Sequence, residues 1–202
     1  MIRDAYLVTP HDSVNQVFLF RRVNSQGVLS VKDEYQDLVC KKCGKLDEKS
    51  ALSRGFLGRV DVRSKRPFVL STDDFYLLDQ RAEQIFRDLL PNQIDFFPIP
   101  STQFSVATPK IWIEPHRSDA AFEFLDPTCI ICGRPREVVF AKKKPPTLGD
   151  ARPVLAINLE TRLGAGLLWL VPKEVEAELR KLRPRLTGIV ISPIQVDDGK
   201  TP

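Results

Sequence analysis

The chain has 202 residues, enough for one large domain or two small ones, and its 43% of hydrophobic residues suffices for an ordinary globular core. The 30 basic and 26 acidic residues give a formal net charge of +4, too small to require a nucleic acid or a membrane surface as partner. No stretch approaches the ~18 apolar residues of a membrane helix, and no basic segment leads into an apolar run at the start. We therefore expect a cytoplasmic protein.

Several short apolar runs between turn residues predict strands. Val17–Phe20 and Gly27–Val31 flank a polar turn at residues 24–26. Further along the chain, strands are predicted at residues 94–97, 111–113, 153–159 and 189–194. Helical patterns occur between some of these runs but without regular strand–helix alternation, which favours an α+β fold with a mixed or antiparallel sheet.

The first predicted helix runs from Ser71 to Leu90. Ser71 and Thr72 are N-cap candidates, Asp73 and Asp74 suit the positive end of a helix, and Pro91 ends it. Apolar residues recur at steps of three and four, which predicts one buried face made by Phe75, Leu78, Ala82, Ile85 and Leu89.

The second predicted helix lies near the C-terminus. Pro172 is suited to the first helical position, and Val175, Leu179 and Leu182 form an apolar stripe before Pro184. Each predicted helix is preceded by an apolar run and followed by a strand that ends in Pro-Ile. We therefore interpret residues 1–202 as a single domain with two main helices and with repeated helix–strand units at about 56–100 and 151–196. The alternative is two ordinary helix–strand units that share only their prolines.

All four cysteines lie in two copies of one motif, Cys40-Lys-Lys-Cys43-Gly44 and Cys129-Ile-Ile-Cys132-Gly133. Two CxxC pairs supply the four thiolates of a tetrahedral zinc site, with no cysteine left over. The glycine after each pair suits the sharp turn of a metal-binding knuckle. Residues 44–128 between the pairs are too long for a zinc-ribbon loop, so the metal would join distant segments. This spacing fits a site within one chain or one shared between two chains.

Two other readings of the cysteines are redox dithiols and disulfides. A disulfide within CxxC closes too short a loop to stabilise much, and a redox CxxC is expected at a strand-to-helix turn, where neither motif lies. We therefore predict a Zn²⁺ ion bound by Cys40, Cys43, Cys129 and Cys132. Because four protein ligands leave no open position, this zinc would be structural.

The residues offer little for catalysis, so we do not expect an enzyme. The cysteines are assigned to the metal, which removes thiol nucleophiles. The two histidines, His11 and His116, lie in polar stretches typical of surface residues. No catalytic residue and no organic cofactor is predicted.

The two CxxCG motifs, their wide separation and the helix–turn–strand from Pro172 to Ile194, with Thr187-Gly188-Ile189 before its strand, resemble the double-CxxCG-motif immunity proteins. These accompany contact-delivered bacterial toxins of the swarming-inhibition type. The resemblance implies a non-catalytic protein that binds and neutralises a cognate polymorphic toxin during competition between bacteria. The expected partner is that toxin, not a membrane or a nucleic acid.

The alternative is a zinc-ribbon-like nucleic-acid-binding or regulatory protein. Cations near the motifs could contact phosphates: Lys41, Lys42, Lys45, Arg134, Arg136 and residues 142–144. No aromatic residues are interleaved with these cations for base stacking. For toxin binding, candidate acidic surface lies at residues 33–37, 47–48 and 119–126.

Overall fold

The structure is a computed structural model that describes residues 5–10, 17–117, 119, 121–125, 127–140, 155–160, 165–182 and 189–194. It confirms the α+β class. The strands are β1 (Ala5–Pro10), β2 (Arg21–Val23), β3 (Leu29–Val31), β4 (Phe68–Leu70), β5 (Tyr76–Asp79), β6 (Ile94–Pro98), β7 (Phe104–Pro109), β8 (Trp112–Ile113), β9 (Phe122–Phe124), β10 (Val138–Phe140), β11 (Leu155–Glu160), β12 (Ala165–Pro172) and β13 (Ile189–Ile194). The helices are α1 (Glu48–Arg54), α2 (Gln80–Leu89) and α3 (Lys173–Lys181), with a 3₁₀ segment at Asp33–Leu38.

The strands form two main sheets and two hairpins. One sheet has the order β13-β1-β12-β11-β8 and the other β4-β5-β7-β6, while β2 pairs with β3 and β9 with β10. All pairs are antiparallel except β8 with β11, which makes the five-stranded sheet mixed. The prediction of a mixed or antiparallel sheet is thus confirmed.

The two main sheets contain the same arrangement of four strands and a helix. In the first, the hairpin β4–β5 leads into α2 and then β6; in the second, β11–β12 leads into α3 and then β13. The remaining strand lies in each case between the strands before and after the helix. It is β7 in the first sheet and β1 in the second. Thus β1, which precedes the first unit along the chain, pairs within the second, and β7, which precedes the second unit, pairs within the first.

The residue pairing also matches between the two sheets. Asp79, the N-cap of α2, lies opposite Phe104 in β7, and Pro172, the N-cap of α3, lies opposite Ala5 in β1. On the other side of the inserted strand, Ile94 pairs with Pro109, just as Ile189 pairs with Pro10. The predicted units at about 56–100 and 151–196 each contain one such hairpin, helix and strand. Their origin by duplication stays a prediction.

The two units pack against each other through equivalent residues. Tyr76 and Trp169 occupy the same position in the two registers, and their buried rings meet edge to face with centroids 4.9 Å apart. The same core contains Ala82 and Phe86 of α2 and Val175 and Leu179 of α3. In each helix these residues lie three and seven positions after the N-cap. The core therefore lies between the sheets and is closed by the two helices.

A second core anchors the segment that contains Cys40. Phe20, Tyr35 and Phe75 form edge-to-face aromatic pairs there, and Leu46, just beyond the first cysteine motif, is fully buried among them. The first motif is thereby fixed to the four-stranded sheet, whose Leu77 and Val106 belong to the same core.

The predicted start of the first helix is wrong. The helix begins at Gln80, and residues 71–75 form a turn before β5, in which Phe75 N–H donates to Ser71 Oγ at 3.0 Å. All four residues of β5 are buried because this strand lies between β4 and β7, and its apolar run imitates helical spacing. The true cap is Asp79, and Asp73 has a different role, described below.

The second helix and most of the predicted strands lie close to their predicted places. Helix α3 begins at Lys173, so Pro172 is the N-cap instead of the first helical residue, and Val175 and Leu179 are buried as expected. Strands β6, β8, β11 and β13 overlap their predictions, and β4 and β12 contain the apolar runs at residues 68–70 and 167–170 that precede the predicted helices. The N-terminal hairpin has its first strand at Arg21–Val23, later than predicted. Residues 142–144 of the predicted basic cluster lie outside the described part of the chain.

Replacing Asp79 with alanine should lower the free energy of unfolding by about 1–2 kcal/mol, because an N-cap carboxylate satisfies helix N–H groups. Its Oδ1 accepts from the N–H groups of Arg81 and Ala82, both at 3.0 Å, and its Oδ2 pairs with the Arg81 side chain. Urea denaturation measures this change, with Asp79→Asn as the matched control that keeps a capping oxygen. Equal stability of Asp79→Ala and the wild type would contradict the capping role.

Candidate metal centre

The structure brings the four cysteine sulfurs together within one chain. The Sγ atoms of Cys40, Cys43, Cys129 and Cys132 all lie within 4.8 Å of one another. Across the two motifs, the Sγ atoms of Cys40 and Cys129 are 3.9 Å apart and those of Cys43 and Cys132 are 3.5 Å apart. Tetrahedral coordination at about 2.3 Å from a central ion places sulfur ligands about 3.8 Å apart. The four sulfurs could therefore hold a metal ion.

The two motifs form knuckles with the same backbone geometry. In the first, Cys40 N–H donates to Lys45 O and Gly44 N–H to Cys40 O, both at 2.8 Å. In the second, Cys129 N–H donates to Arg134 O at 2.8 Å, and the equivalent bond of Gly133 is 2.9 Å. Gly44 and Gly133 have φ values of 75° and 71°, which a residue with a side chain rarely adopts. The glycine after each motif therefore has the role that the sequence predicted.

Two cations connect the knuckles to each other. Lys45 and Arg134 each follow the glycine of their own motif, and each donates to a backbone carbonyl of the other knuckle. Lys45 Nζ lies 2.9 Å from Pro135 O, and Arg134 Nη1 lies 2.6 Å from Leu46 O. Since Pro135 follows Arg134 as Leu46 follows Lys45, the two bonds are equivalent. They hold the two chain segments together at the metal site.

A buried ion pair supports this crossing. Glu48, only 4% exposed, lies at the start of α1 with an Oε2 3.1 Å from Arg134 Nη2. Lys45 is itself only 3% exposed. Buried charges require such partners because leaving water is costly for them. Two cations of the predicted basic cluster, Lys45 and Arg134, thus form contacts within the metal centre.

Hydrogen bonds and burial divide the four thiols into two kinds. The N–H groups of Cys132 and Ile131 lower the pKa of Cys129 to about 6, and those of Cys43 and Lys42 lower the pKa of Cys40. Burial raises the pKa of Cys43 to about 12 and also raises that of Cys132. Hydrogen bonding thus favours the thiolate form of one thiol in each knuckle, while burial favours the neutral form of the other. Binding of a metal would favour the thiolate at all four, since metal binding is coupled to thiol deprotonation.

The geometry does not match the alternative readings of the cysteines. All four are free thiols, so neither pair forms a disulfide. Each CxxC lies in a turn closed by an isolated β-bridge, Val39 with Leu46 and Thr128 with Pro135, and not at a strand-to-helix turn. A thioredoxin-like redox site would require that second setting.

An open cleft of about 680 Å³ lies beside the second knuckle. Cys132 and Arg134 line one side, and Trp112 and Phe124 contribute aromatic surface. A cation covers each ring: Lys49 Nζ lies 4.4 Å from the Trp112 centroid and the Arg117 guanidinium 4.7 Å from that of Phe124. His116, exposed, also lines this cleft, whereas His11 lies outside the described residues.

The acidic residues considered for partner binding are used largely within the molecule. Asp33 pairs with Arg22, and Asp37 with Arg54. Asp47 caps α1 by accepting from Ser50, and Glu48 pairs with Arg134 as described.

The chain is thus an α+β protein with a tetracysteine cluster able to bind a metal ion. Among the described residues, no helix is long and apolar enough to cross a membrane. No protein-family model, curated protein or solved structure matches it.

Proposed function

We propose that the protein is an immunity protein that binds and neutralises a cognate bacterial toxin, with a structural Zn²⁺ ion at its four cysteines. The observation that carries this proposal is the closed four-sulfur cluster that joins two distant segments. A metal with four protein ligands holds a scaffold together and has no free position for a substrate. A scaffold held together in this way fits a protein that acts by binding, as the resemblance to double-CxxCG immunity proteins implies.

Zinc is the metal that this donor set favours. Four thiolates in a tetrahedral arrangement are typical of structural zinc or of iron–sulfur centres. The two knuckles, each with a glycine at positive φ and a backbone bond closing the turn, suit a single ion held between them. Purified protein should therefore contain one zinc per chain.

The nucleic-acid alternative is weakened by how the basic cluster is used. Lys45 and Arg134 donate to carbonyls across the knuckles and are therefore engaged inside the molecule. Lys41, Lys42 and Arg136 remain exposed. Among the described residues of this cluster, three exposed cations are a small footprint, because phosphate binding gains affinity from each neutralised charge; residues 142–144 lie outside the described part of the chain.

Growth rescue tests the proposed function. Each toxin gene adjacent to the coding gene is expressed alone and together with the wild-type protein, and we expect rescue by the wild type against one toxin. Cys129→Ser is the negative control, because it should remove the metal and the fold. Lack of rescue against every neighbouring toxin, combined with salt-sensitive binding of a random DNA duplex, would favour the alternative.

A further inference from the structure

Two adjacent isoleucines of the second knuckle project into solvent. Ile130 and Ile131, between the metal ligands Cys129 and Cys132, are 88% and 65% exposed. Single exposed apolar residues are common on protein surfaces, but two neighbouring β-branched residues at the tip of a rigid turn form a fixed apolar projection. We call these two residues the isoleucine tip.

The first knuckle shows that the metal site does not require this tip. Lys41 and Lys42 occupy the equivalent positions between Cys40 and Cys43, and both are exposed. The backbone bonds of the two knuckles nevertheless match within 0.1 Å, at 2.8 and 2.8 Å in the first and 2.8 and 2.9 Å in the second. The same turn therefore forms with lysines or isoleucines. The turn therefore does not require the isoleucines, whose exposed apolar surface is available for contact with another molecule.

The surroundings of the tip are mainly basic. The exposed Lys41 and Lys42 lie in the facing knuckle, whose Cys43 Sγ is 3.5 Å from that of Cys132. Arg136 follows the second knuckle, and the adjoining cleft presents Lys49 and Arg117 over its aromatic rings. Of the two exposed carboxylates lining this cleft, that of Asp47 is bonded to Ser50 at the cap of α1, and the other is Glu114. An apolar tip among cations complements an apolar pocket with an acidic rim.

We infer that the isoleucine tip is the anchor by which the protein docks on its toxin, inserting into an apolar pocket whose rim is acidic. This inference rests on the proposed function and names its contact surface. Apolar anchors in pockets dominate the energetics of protein interfaces, while surrounding charges steer association.

The test replaces the tip with the residues of the other knuckle. The double variant Ile130→Lys and Ile131→Lys recreates the Cys-Lys-Lys-Cys-Gly sequence that already folds at residues 40–44. Its metal content and thermal unfolding should equal those of the wild type. Its Kd for the toxin neutralised in the growth assay should be at least about tenfold higher, because the apolar contact area of both side chains is lost. Val28→Lys is the matched control, an exposed apolar residue (55%) of the β2–β3 hairpin.

The outcomes separate this inference from the proposed function. If the wild type neutralises a toxin and the double variant binds it with unchanged Kd, the docking inference is wrong and the immunity function stands. If the wild type neutralises no neighbouring toxin, both are overturned. Should the double variant lose metal, the single variant Ile131→Lys serves as the second test. Because only one of the two apolar side chains is replaced, its Kd for the toxin should rise by a few-fold, and an unchanged Kd would contradict the docking inference.

A charge reversal at Lys41 and Lys42 should slow association with the toxin most strongly at low salt. An association rate independent of these charges would overturn the proposed acidic rim.

Discussion

Removing the metal should unfold the protein. Apparent binding free energies of structural zinc reach about 10–16 kcal/mol in small zinc domains, comparable to or larger than the whole stability of a typical domain. Here the ion would connect the segment before α1 to the segment between β9 and β10. These two segments are also connected by the hydrogen bonds of Lys45 and Arg134. Without the positive charge of the ion, nothing attracts the four cysteine sulfurs to a common centre.

Circular dichroism during titration with a zinc chelator measures this effect, and re-addition of Zn²⁺ should restore the folded signal. Cys40→Ser or Cys129→Ser should unfold the protein in the same way and abolish function with the fold. Lys42→Ala is the matched control in the same turn, since it changes no ligand and no bonded group of the knuckle. A chelated protein with an unchanged spectrum, or a folded Cys129→Ser variant that selectively loses activity, would show that the cluster is not structural.

The cysteine cluster was predictable because its chemistry is local. Two CxxCG motifs fix the ligand type, the ligand number and the positive φ of each glycine without reference to the rest of the chain. The connection between the knuckles was not predictable, since Lys45 reaches Pro135 only once two distant segments cross. The sequence still carried a signal of it: each motif is followed by a cation at the same position.

Which strands pair with each other could not be predicted from the periodicity of apolar residues in the sequence. No element was predicted for Ala5–Pro10, yet this strand lies between β12 and β13. Its sequence ends in Thr-Pro, as does that of β7, and each strand lies between the two strands joined through a helix. Comparison of these two segments would have extended the predicted helix–strand repeat by a further strand. Which sheet each strand joins depends on long-range packing, which short patterns do not encode.

The helix start was missed because a buried strand and a buried helix face can carry the same apolar residues. Phe75 and Leu78 satisfy helical spacing, but both belong to cores of the β-sheet region. The aspartates before them were attributed to a helix dipole. Asp73 instead lies in the interior and forms the contacts on which the second prediction depends.

Asp73→Ala should lower the free energy of unfolding by about 3–5 kcal/mol, the cost of breaking a buried ion pair and orphaning its hydrogen-bond donors. Asp73 is only 3% exposed, and its Oδ2 accepts from the N–H groups of Leu19 at 2.6 Å and Phe20 at 2.8 Å. Its Oδ1 lies 3.5 Å from Nη1 of Arg21, which is also buried. The carboxylate thereby ties the chain before β2 to the turn before β5.

Two further variants separate the roles of this carboxylate in urea denaturation. Asp73→Asn keeps an acceptor for the two N–H groups but removes the charge, so it should lose less stability than Asp73→Ala. Combining Asp73→Ala with Arg21→Met also removes the buried cation that pairs with Asp73, and the double variant should recover part of the loss. Strict additivity of the two substitutions would show that Arg21 and Asp73 are energetically independent. In that case the stabilising effect of Asp73 would come from the hydrogen bonds that its Oδ2 accepts from Leu19 and Phe20.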